Sequence, residues 1–252
     1  MFSKMSINQI REMLMQEPIN EVFQPYEEAY HLPSTFDSRE KWPHKIHPIR
    51  DQKKCGSCWA FALTEVLSDR FDIVGCSKGV LSPQDLVSCD ELDMGCNGGR
   101  FETSWKWAIE KGITTEECMP YTSGCGLTGS CSSKCKNGSV VIRHKADSYR
   151  QLHGSEIQEA IFTKGPVEFG MAVYIDFMFY RSGVYHHVVP LKMGYHAVKC
   201  IGWGVENNKP YWLCANSWGK GWGDRGFFKL LRGKNECSVE GNAFEGDVSC
   251  EK

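Results

Sequence analysis

The sequence has no excess of charge of either sign, no internal repeat and no low-complexity tract. It contains 29 lysine and arginine residues against 31 aspartate and glutamate residues, which gives a formal net charge of -2 at pH 7. A chain so close to neutral has no electrostatic reason to bind nucleic acid or an anionic membrane. We therefore expect neither as a partner.

A long hydrophobic run is also missing. A membrane-spanning helix needs about 18 or more consecutive apolar residues, and a secretory signal peptide needs a shorter apolar core near the N-terminus. The sequence has neither of these. We expect no membrane span, and any secretory signal has been removed or lies outside this sequence.

Cysteine, in contrast, is abundant. The 13 cysteines among 252 residues are too many for an ordinary cytosolic protein and indicate an oxidising route of synthesis. Because the number is odd, at least one thiol stays unpaired, and Cys58 is the natural candidate. The length permits one or two domains with a substantial core.

The run Cys-Gly-Ser-Cys-Trp at 55–59 carries the strongest functional signal. Cys58 opens a helical pattern that continues to Phe71, and a helix N-terminus favours the thiolate form of a cysteine. A thiolate there would be a nucleophile. Taken alone, however, Cys55 and Cys58 could equally form a redox or metal-binding pair.

Two distant strand-like runs supply partners for this thiol. His196 and Asn216 lie on either side of the turn-rich residues 206–210, and this pattern predicts an antiparallel hairpin that brings them together. The imidazole would take the thiol proton, and the amide would hold the ring tautomer. Gln52 and the backbone N–H of Cys58 would donate to an oxyanion.

The order of the elements indicates an α+β fold. Helical patterns cover 58–71, 82–88 and 101–111, and strand patterns follow, interrupted by a helix near 156–164 that Gly165-Pro166 ends. An amphipathic pattern at 5–15 opens with Ser6 as a possible N-cap. His186 and His187 look like a metal pair, but we expect them to be half-buried residues of the strand after Gly183.

The combined motifs resemble the papain family of cysteine proteases, most closely its cathepsin B-like branch. They are Cys-Gly-Ser-Cys-Trp at 55–59, Gly-Cys-Asn-Gly-Gly at 95–99, the His196 strand and Asn-Ser-Trp-Gly at 216–219, within a similarity that spans about 32–245. The resemblance implies a helical left lobe, roughly 48–135, and a β-barrel-like right lobe, roughly 136–252 plus 32–47. The cleft between the lobes would carry Cys58 and His196 on opposite walls.

The resemblance also implies roles for further residues. Trp218 would shield the His196–Asn216 hydrogen bond, Gly98 and Gly99 would pair with the substrate backbone, and Phe101, Gly170 and Ala197 would line the pocket for the substrate's P2 side chain. Asn242 falls where cathepsin B-like enzymes have a pocket-floor glutamate. The implied disulfides are Cys55–Cys96, Cys89–Cys131 and Cys118–Cys135.

Six cysteines receive no partner from the resemblance: Cys76, Cys125, Cys200, Cys214, Cys237 and Cys250. In the predicted hairpin, Cys200 lies opposite Cys214. A disulfide and two buried thiols are equally compatible with that position.

The implied function is a cysteine endopeptidase that acts through a Cys58 thioester. Residues 1–31 resemble the end of a prosegment that would lie in the cleft, although an ordinary N-terminal helix is the alternative. The segment from Cys118 to Cys135 is short and has no histidine, so the occluding loop that gives cathepsin B-like enzymes carboxydipeptidase activity is reduced. A catalytically silent homologue and a thiol oxidoreductase that uses Cys55 and Cys58 are the competing hypotheses.

Partners and location follow from the same resemblance. We expect peptide and protein substrates, the chain's own prosegment 1–31 and cystatin-type inhibitors as partners of a monomeric enzyme. Neither a metal nor an organic cofactor is implied. Cysteine usage and family together suggest a lysosomal, vacuolar or secreted protein.

Overall fold

The structure is a computed structural model that describes residues 2, 5–16, 18–21 and 25–250. Parts of the predicted regions 1–31 and 32–252 therefore lie outside the described residues. The helices are α1 (Ile7–Arg11), α2 (Ser38–Lys41), α3 (Cys58–Ile73), α4 (Pro83–Cys89), α5 (Phe101–Glu110) and α6 (Glu156–Lys164). The strands are β1 (Phe36–Asp37), β2 (Ser148–Leu152), β3 (Val167–Tyr174), β4 (Val184–Tyr185), β5 (Lys192–Glu206), β6 (Lys209–Ala215), β7 (Phe227–Leu231) and β8 (Ala243–Asp247).

This order of elements confirms the α+β class. Helices α3, α4 and α5 precede all but one of the strands, and the eight strands form one sheet in the order β2-β8-β3-β5-β6-β7-β4, with β1 paired to β5. Within the described ranges, no helix is both long and apolar enough to cross a membrane.

The helix boundaries follow local sequence signals. Ser82 caps α4 by accepting a hydrogen bond from the backbone N–H of Asp85, and Pro83 occupies the first turn. Helix α6 ends at Gly165, whose φ of 107° suits glycine. Ser6 and Gln9 form a capping box at the start of α1.

The amphipathic pattern at 5–15 predicted a longer helix than α1, and this prediction was wrong. Helix α1 ends at Arg11, and residues 12–14 form turns that lead into Met15. Met15 forms an antiparallel bridge with Tyr195, exchanging backbone hydrogen bonds of 2.8 and 2.9 Å. Pairing with a strand far away in sequence has therefore replaced the last turn of the expected helix.

Strands β5 and β6 form the expected antiparallel hairpin. The turn between them contains Asn207 and Asn208, with φ of 48° and 61°, as a tight turn between twisted strands requires. Cys200 lies opposite Cys214, and both are buried free thiols.

The interpretation of the two histidines as strand residues was wrong. Strand β4 ends at Tyr185, because the next backbone N–H groups bond to carboxylates instead of to a neighbouring strand. His187 donates to Glu236 at 3.0 Å and Val188 donates to Asp176 at 2.8 Å. His186 is exposed and His187 is half-buried.

The described residues contain four disulfides. Three of them join the pairs that the resemblance implies, and the fourth, Cys76–Cys250, links two cysteines that the sequence left unassigned across a separation of 174 residues. Free thiols remain at Cys58, Cys125, Cys200, Cys214 and Cys237.

Buried apolar side chains form two clusters. One covers the sheet and includes Phe177, Trp203 and Trp212, and the other surrounds α3 and includes Leu63 and Trp105. The N-terminal segment, by which we mean the described residues from 2 to 21, contributes Ile10, Met13 and Leu14 to the first cluster and Met15 to the second. It therefore lies where the two clusters meet. The lobe boundaries inferred from the resemblance stay a prediction.

Buried charges join helix α3 to the sheet. Lys199 of β5 lies 2.7 Å from Asp69 and 3.9 Å from Glu65, both on α3. Arg70, which follows Asp69 on α3, lies 3.0 Å from Glu245 on β8. These side chains are 0 to 3% exposed, so each charge depends on its partner.

Removing the buried cation should therefore destabilise the protein strongly. We expect Lys199→Met to lower the free energy of unfolding by about 3–5 kcal/mol, because Asp69 would stay buried without its partner. Lys229→Met, which breaks a half-exposed pair with Glu206, should cost less than about 1 kcal/mol. Urea unfolding of both variants measures the difference, and equal losses would contradict this role for Lys199.

Candidate active site

Cys58 is the first residue of α3 and is fully buried. Burial raises the pKa of its thiol to about 12, against the lowering effect of the backbone N–H groups of Ala197, Trp59 and Met15. The N-terminus of a helix favours a thiolate, but in this form of the protein desolvation outweighs that effect. The thiol is neutral while the N-terminal segment covers it.

His196 and Asn216 are joined by a hydrogen bond of 2.7 Å between the imidazole Nε2 and the amide Oδ1. The same atom accepts a hydrogen bond of 2.8 Å from the backbone N–H of Ser217. Because an N–H can bond only to an acceptor, this atom is the amide oxygen and not the amide nitrogen. Nε2 must then carry the ring proton, and Nδ1 has a lone pair. Nδ1 is buried without a hydrogen-bond partner, so it is the nitrogen free to accept a proton.

The imidazole is neutral in this form. Burial lowers the pKa of His196 to about 4, while the hydrogen bond to Asn216 acts in the opposite direction. Trp218 covers the ring, with the two ring centres 4.7 Å apart and the planes inclined by 31°. Trp218 is itself 2% exposed, so it separates the His196–Asn216 hydrogen bond from water.

Gln52 is fixed in the orientation that an oxyanion donor needs. Its Oε1 accepts a hydrogen bond of 2.7 Å from the Ser217 hydroxyl. Its Nε2 consequently points the other way, where it donates to the carbonyl oxygens of Cys55 at 2.8 Å and Met13 at 2.9 Å.

Ser217 is a positioning residue that the sequence reasoning missed. It holds Gln52 with its side chain and orients Asn216 with its backbone N–H, and its carbonyl accepts from the Gln52 backbone N–H at 2.8 Å. The only signal in the sequence was its place in the Asn-Ser-Trp-Gly motif, from which roles were predicted for Asn216 and Trp218 alone.

The two glycines that were expected to bind the substrate backbone have different surroundings. Gly98 has a φ of 119°, and a Cβ added there would lie 3.6 Å from the Cα of Met15. A Cβ on Gly99 would lie 2.4 Å from the ring of Trp59. Gly98 therefore allows close approach of another backbone, whereas Gly99 is required first by packing.

The residues expected at the P2 pocket also lie together. A Cβ on Gly170 would lie 2.5 Å from the ring of Phe101 and 3.2 Å from Cβ of Asn242. Ala197 lies opposite Gly170 in the β3–β5 pairing. A cavity of about 280 Å³ is lined by Phe101, Asn242 and Phe244 together with Pro18 and Ile19 of the N-terminal segment.

The described part of the N-terminal segment contacts several of the predicted site residues. Phe2 packs edge-on against Trp218 with ring centres 5.1 Å apart, Met13 bonds to Gln52, and Met15 pairs with Tyr195. Asn20 donates its backbone N–H to Oδ1 of Asn242 at 3.0 Å and accepts from its Nδ2 at 2.6 Å. Sequence patterns gave no signal for these contacts, because all but the one between Met13 and Gln52 join parts of the chain about 200 residues apart.

The arrangement of the thiols discriminates between two readings of the Cys-x-x-Cys run. Cys55 is bonded to Cys96, whereas Cys58 is free. The two cysteines therefore do not form a redox pair. A free thiol, a neutral imidazole oriented by an amide and a fixed amide donor are the components of nucleophilic acyl transfer.

Comparisons with known proteins agree with this geometry. Residues 32–246 match the family model described as papain family cysteine protease. The cathepsin B-like CP2 of Giardia intestinalis is 43% identical over 223 residues, which cover 85% of this chain and 74% of that protein. The chain therefore belongs to the papain family of cysteine proteases, and its curated relatives include several cathepsin B-like enzymes.

Solved structures lead to the same family. Procathepsin B S9 from Trypanosoma congolense superposes with a TM-score of 0.87 at 32% identity, covering 98% of this chain and 90% of that one. A digestive procathepsin L2 proteinase from Tenebrio molitor larval midgut gives a TM-score of 0.78 at 27% identity, covering 97% and 81%. Both are proenzymes. The protein is a cysteine peptidase with the papain-like fold.

The contact between Ser217 and Gln52 can be tested by activity. With a chain that starts at Leu32, we expect Gln52→Ala to lower kcat roughly tenfold to a thousandfold, as loss of an oxyanion donor does. Ser217→Ala should lower kcat by a smaller factor, because the amide remains but is no longer oriented. Ser77→Ala, on the exposed surface, is the matched control. An unchanged kcat for Gln52→Ala would contradict the assignment.

Proposed function

We propose that this protein is a cysteine endopeptidase in which Cys58 is the nucleophile, His196 the general acid and base, and Asn216 the residue that orients His196. Gln52 and the backbone N–H of Cys58 would stabilise the oxyanion. The observation that carries the proposal is the hydrogen bond of 2.9 Å from Gln52 Nε2 to the carbonyl oxygen of Met13. A peptide carbonyl already occupies the donor that a substrate carbonyl would use.

The mechanism follows from the roles of the two ring nitrogens. Once the cleft is uncovered, Nδ1 of His196 takes the thiol proton and the sulfur of Cys58 attacks the carbonyl carbon. The tetrahedral intermediate collapses to a thioester as the imidazolium gives its proton to the leaving amine. Water, deprotonated by the same nitrogen, then attacks the thioester and releases the acid product and the thiol.

A covalent probe tests this assignment. A peptide vinyl sulfone should label a chain that starts at Leu32 once, at Cys58, as mapped by mass spectrometry of proteolytic fragments. Cys58→Ala should remove both labelling and turnover while the circular dichroism spectrum is unchanged. Cys125→Ser, which removes an exposed free thiol, should affect neither. A Cys58→Ala protein that still cleaves peptides would overturn the proposal.

The position of the N-terminal segment supports latency. Met13, Leu14 and Met15 are 1 to 2% exposed, so they fill the cleft and exclude substrate. The segment runs from Trp218, at Phe2, to the pocket floor at Asn242, reached by Asn20. A substrate with its P2 side chain in that pocket would run in the opposite direction, and the segment is therefore presented in the wrong orientation for cleavage.

An ion pair at the end of the segment supports release by acid. Lys192 lies 2.6 Å from Glu21, and Tyr195 also donates to that carboxylate. The hydrogen bonds from Lys192 and then Tyr195 lower the pKa of Glu21. Because the pKa of Glu21 is lowered while the segment is bound, the carboxylate stabilises the bound segment at pH values above the ordinary pKa of about 4.3. This stabilisation is lost as the pH falls through the lowered pKa.

The latency proposal predicts a difference between two chains. The chain of 252 residues should hydrolyse peptides at least about tenfold more slowly at pH 7 than one that starts at Leu32, because the segment has to leave first. The cut would fall near His31–Leu32, next to the exposed Tyr30 and His31. Lowering the pH should reduce the difference in rate between the two chains, and Glu21→Gln should reduce it already at pH 7. Equal rates for the two chains at pH 7 would identify residues 1–31 as a passive tail.

The loop between Cys118 and Cys135 supports endopeptidase activity. Its residues bond to the lobe that carries them: the Gln84 side chain accepts from the backbone of Thr122 and Ser123 and donates to the Thr128 carbonyl. The segment contains no histidine. It therefore offers neither the imidazoles nor the reach that binding of a substrate's terminal carboxylate requires in cathepsin B-like enzymes.

The P2 pocket supports a preference for apolar side chains. Ile19 of the N-terminal segment packs against the cluster that contains Phe101, Ala197 and Phe244. The polar group at the floor, Asn242, is uncharged, and it cannot make the charge-assisted pair that a carboxylate makes with an arginine side chain.

These two features predict a substrate profile. The enzyme should prefer Phe-Arg or Leu-Arg over Arg-Arg fluorogenic peptides in kcat/KM, and it should release few dipeptides from substrates with free C-termini relative to amidated ones. Asn242→Glu should raise the Arg-Arg rate relative to Phe-Arg by about tenfold, whereas the uncharged Asn242→Gln should not. Efficient dipeptide release would contradict the interpretation of the loop, and an unchanged ratio in Asn242→Glu would contradict that of the pocket.

We also infer a monomer that resides in a lysosome, a vacuole or the extracellular space. The four disulfides support the oxidising compartment. Cystatin-type inhibitors would compete with the N-terminal segment for the cleft.

A further inference from the structure

Three metal-binding side chains converge in the right lobe. They belong to His187, just beyond β4, and to Glu236 and Cys237, which begin the 3-10 turn Glu236–Gly241. The imidazole Nδ1 lies 2.6 Å from Oε1 of Glu236, and the sulfur of Cys237 lies 3.4 Å from the same oxygen. All three candidate ligand atoms lie within 4.8 Å of one another.

The backbone of the turn produces this convergence. Neighbouring residues in regular structure point their side chains apart, but Cys237 has a φ of 53° and Ser238 a φ of 65°. As a result, the side chains of Glu236 and Cys237 meet at one point. His187 reaches that point because its backbone N–H also bonds to the Glu236 carboxylate, at 3.0 Å.

An aromatic side chain also holds the imidazole of His187 in place. Tyr174 stacks on His187 with ring centres 3.9 Å apart and planes inclined by 7°. The imidazole is 35% exposed and the Glu236 side chain 11% exposed, whereas Cys237 is 4% exposed. The cluster is therefore closed on the sulfur side and open to solvent on the imidazole side, which gives an ion a path of entry.

The ligand types select the ion. One imidazole nitrogen, one carboxylate oxygen and one thiolate sulfur suit zinc, which binds such groups at about 2.0–2.3 Å in tetrahedral geometry. Those bond lengths place the ligand atoms about 3.3–3.8 Å apart. The sulfur-to-oxygen separation of 3.4 Å falls in this range. Nδ1 of His187 lies closer than this to the carboxylate oxygen and has to move away from it by about 0.7 Å.

We propose that His187, Glu236 and Cys237 bind one zinc ion, with water in the fourth position. The ion would cross-link the chain after β4 to the turn that leads into Asn242. Within that turn, the Ser238 carbonyl accepts a hydrogen bond of 2.8 Å from the Asn242 side chain. Zinc would consequently stiffen the floor of the P2 pocket from behind.

Cobalt is the probe that identifies the sulfur ligand. The full chain carrying Cys58→Ala is titrated with Co²⁺, and the near-ultraviolet thiolate-to-cobalt charge-transfer band and the visible bands of a tetrahedral ion are recorded. Zn²⁺ binding is then measured by calorimetry on the same protein. The Cys58→Ala background removes the proposed catalytic thiol, which therefore cannot supply the sulfur ligand.

The variants separate the cluster from other thiols and histidines. Cys237→Ser should abolish the charge-transfer band, and both it and His187→Gln should weaken Zn²⁺ binding by more than about a hundredfold, since even outer-shell losses cost about 10- to 100-fold. His186→Gln and Cys125→Ser should bind Zn²⁺ as the parent does. Mg²⁺ should not compete.

Two outcomes would overturn the proposal: absence of the charge-transfer band in the parent, or Zn²⁺ affinity that is unchanged in His187→Gln. Thermal unfolding without metal shows whether each variant is folded, and His187→Gln decides the matter if Cys237→Ser is not. Because every protein in this series lacks the Cys58 thiol, the result is independent of the proposed peptidase mechanism.

Discussion

The buried contact between Lys199 and Asp69 fixes the two walls of the cleft relative to each other. Asp69 lies on the helix that begins with Cys58, and Lys199 lies on the strand that carries His196, three residues further along. Neither charge reaches water, so neither can leave the other without a large penalty. The proposed nucleophile and the proposed base thus belong to different elements that this buried ion pair holds together.

A second layer of contacts converts this rigid frame into chemistry. Ser217 connects Gln52 to Asn216 through one hydroxyl and one backbone N–H, so the proposed oxyanion donor and the orientation of His196 depend on the same residue. The buried site is electrically neutral while it is covered. Exposure to water is what would allow charge separation between the thiol and the imidazole, so the proposed cover would control reactivity as well as access.

Local signals in the sequence were sufficient for much of this structure. The helical pattern at 82–88, the stop at Gly165-Pro166 and the turn-rich residues 206–210 predicted helices and the hairpin, because each signal acts within a few residues. The end of α1 and the Cys76–Cys250 disulfide could not be predicted in this way. Both depend on which distant segments become neighbours after folding, and periodicity contains no information about that.

The bridge between Met15 and Tyr195 has a consequence for how the N-terminal segment can evolve. Its hydrogen bonds, and that from Gln52 to Met13, involve only backbone atoms of the segment. Any residue that can adopt an extended conformation and keep its N–H could form them, and proline is the exception. Side-chain identity at these positions is therefore set by packing alone, and substitutions are limited to residues that fill the same buried space, because Met13 and Met15 belong to the two apolar clusters.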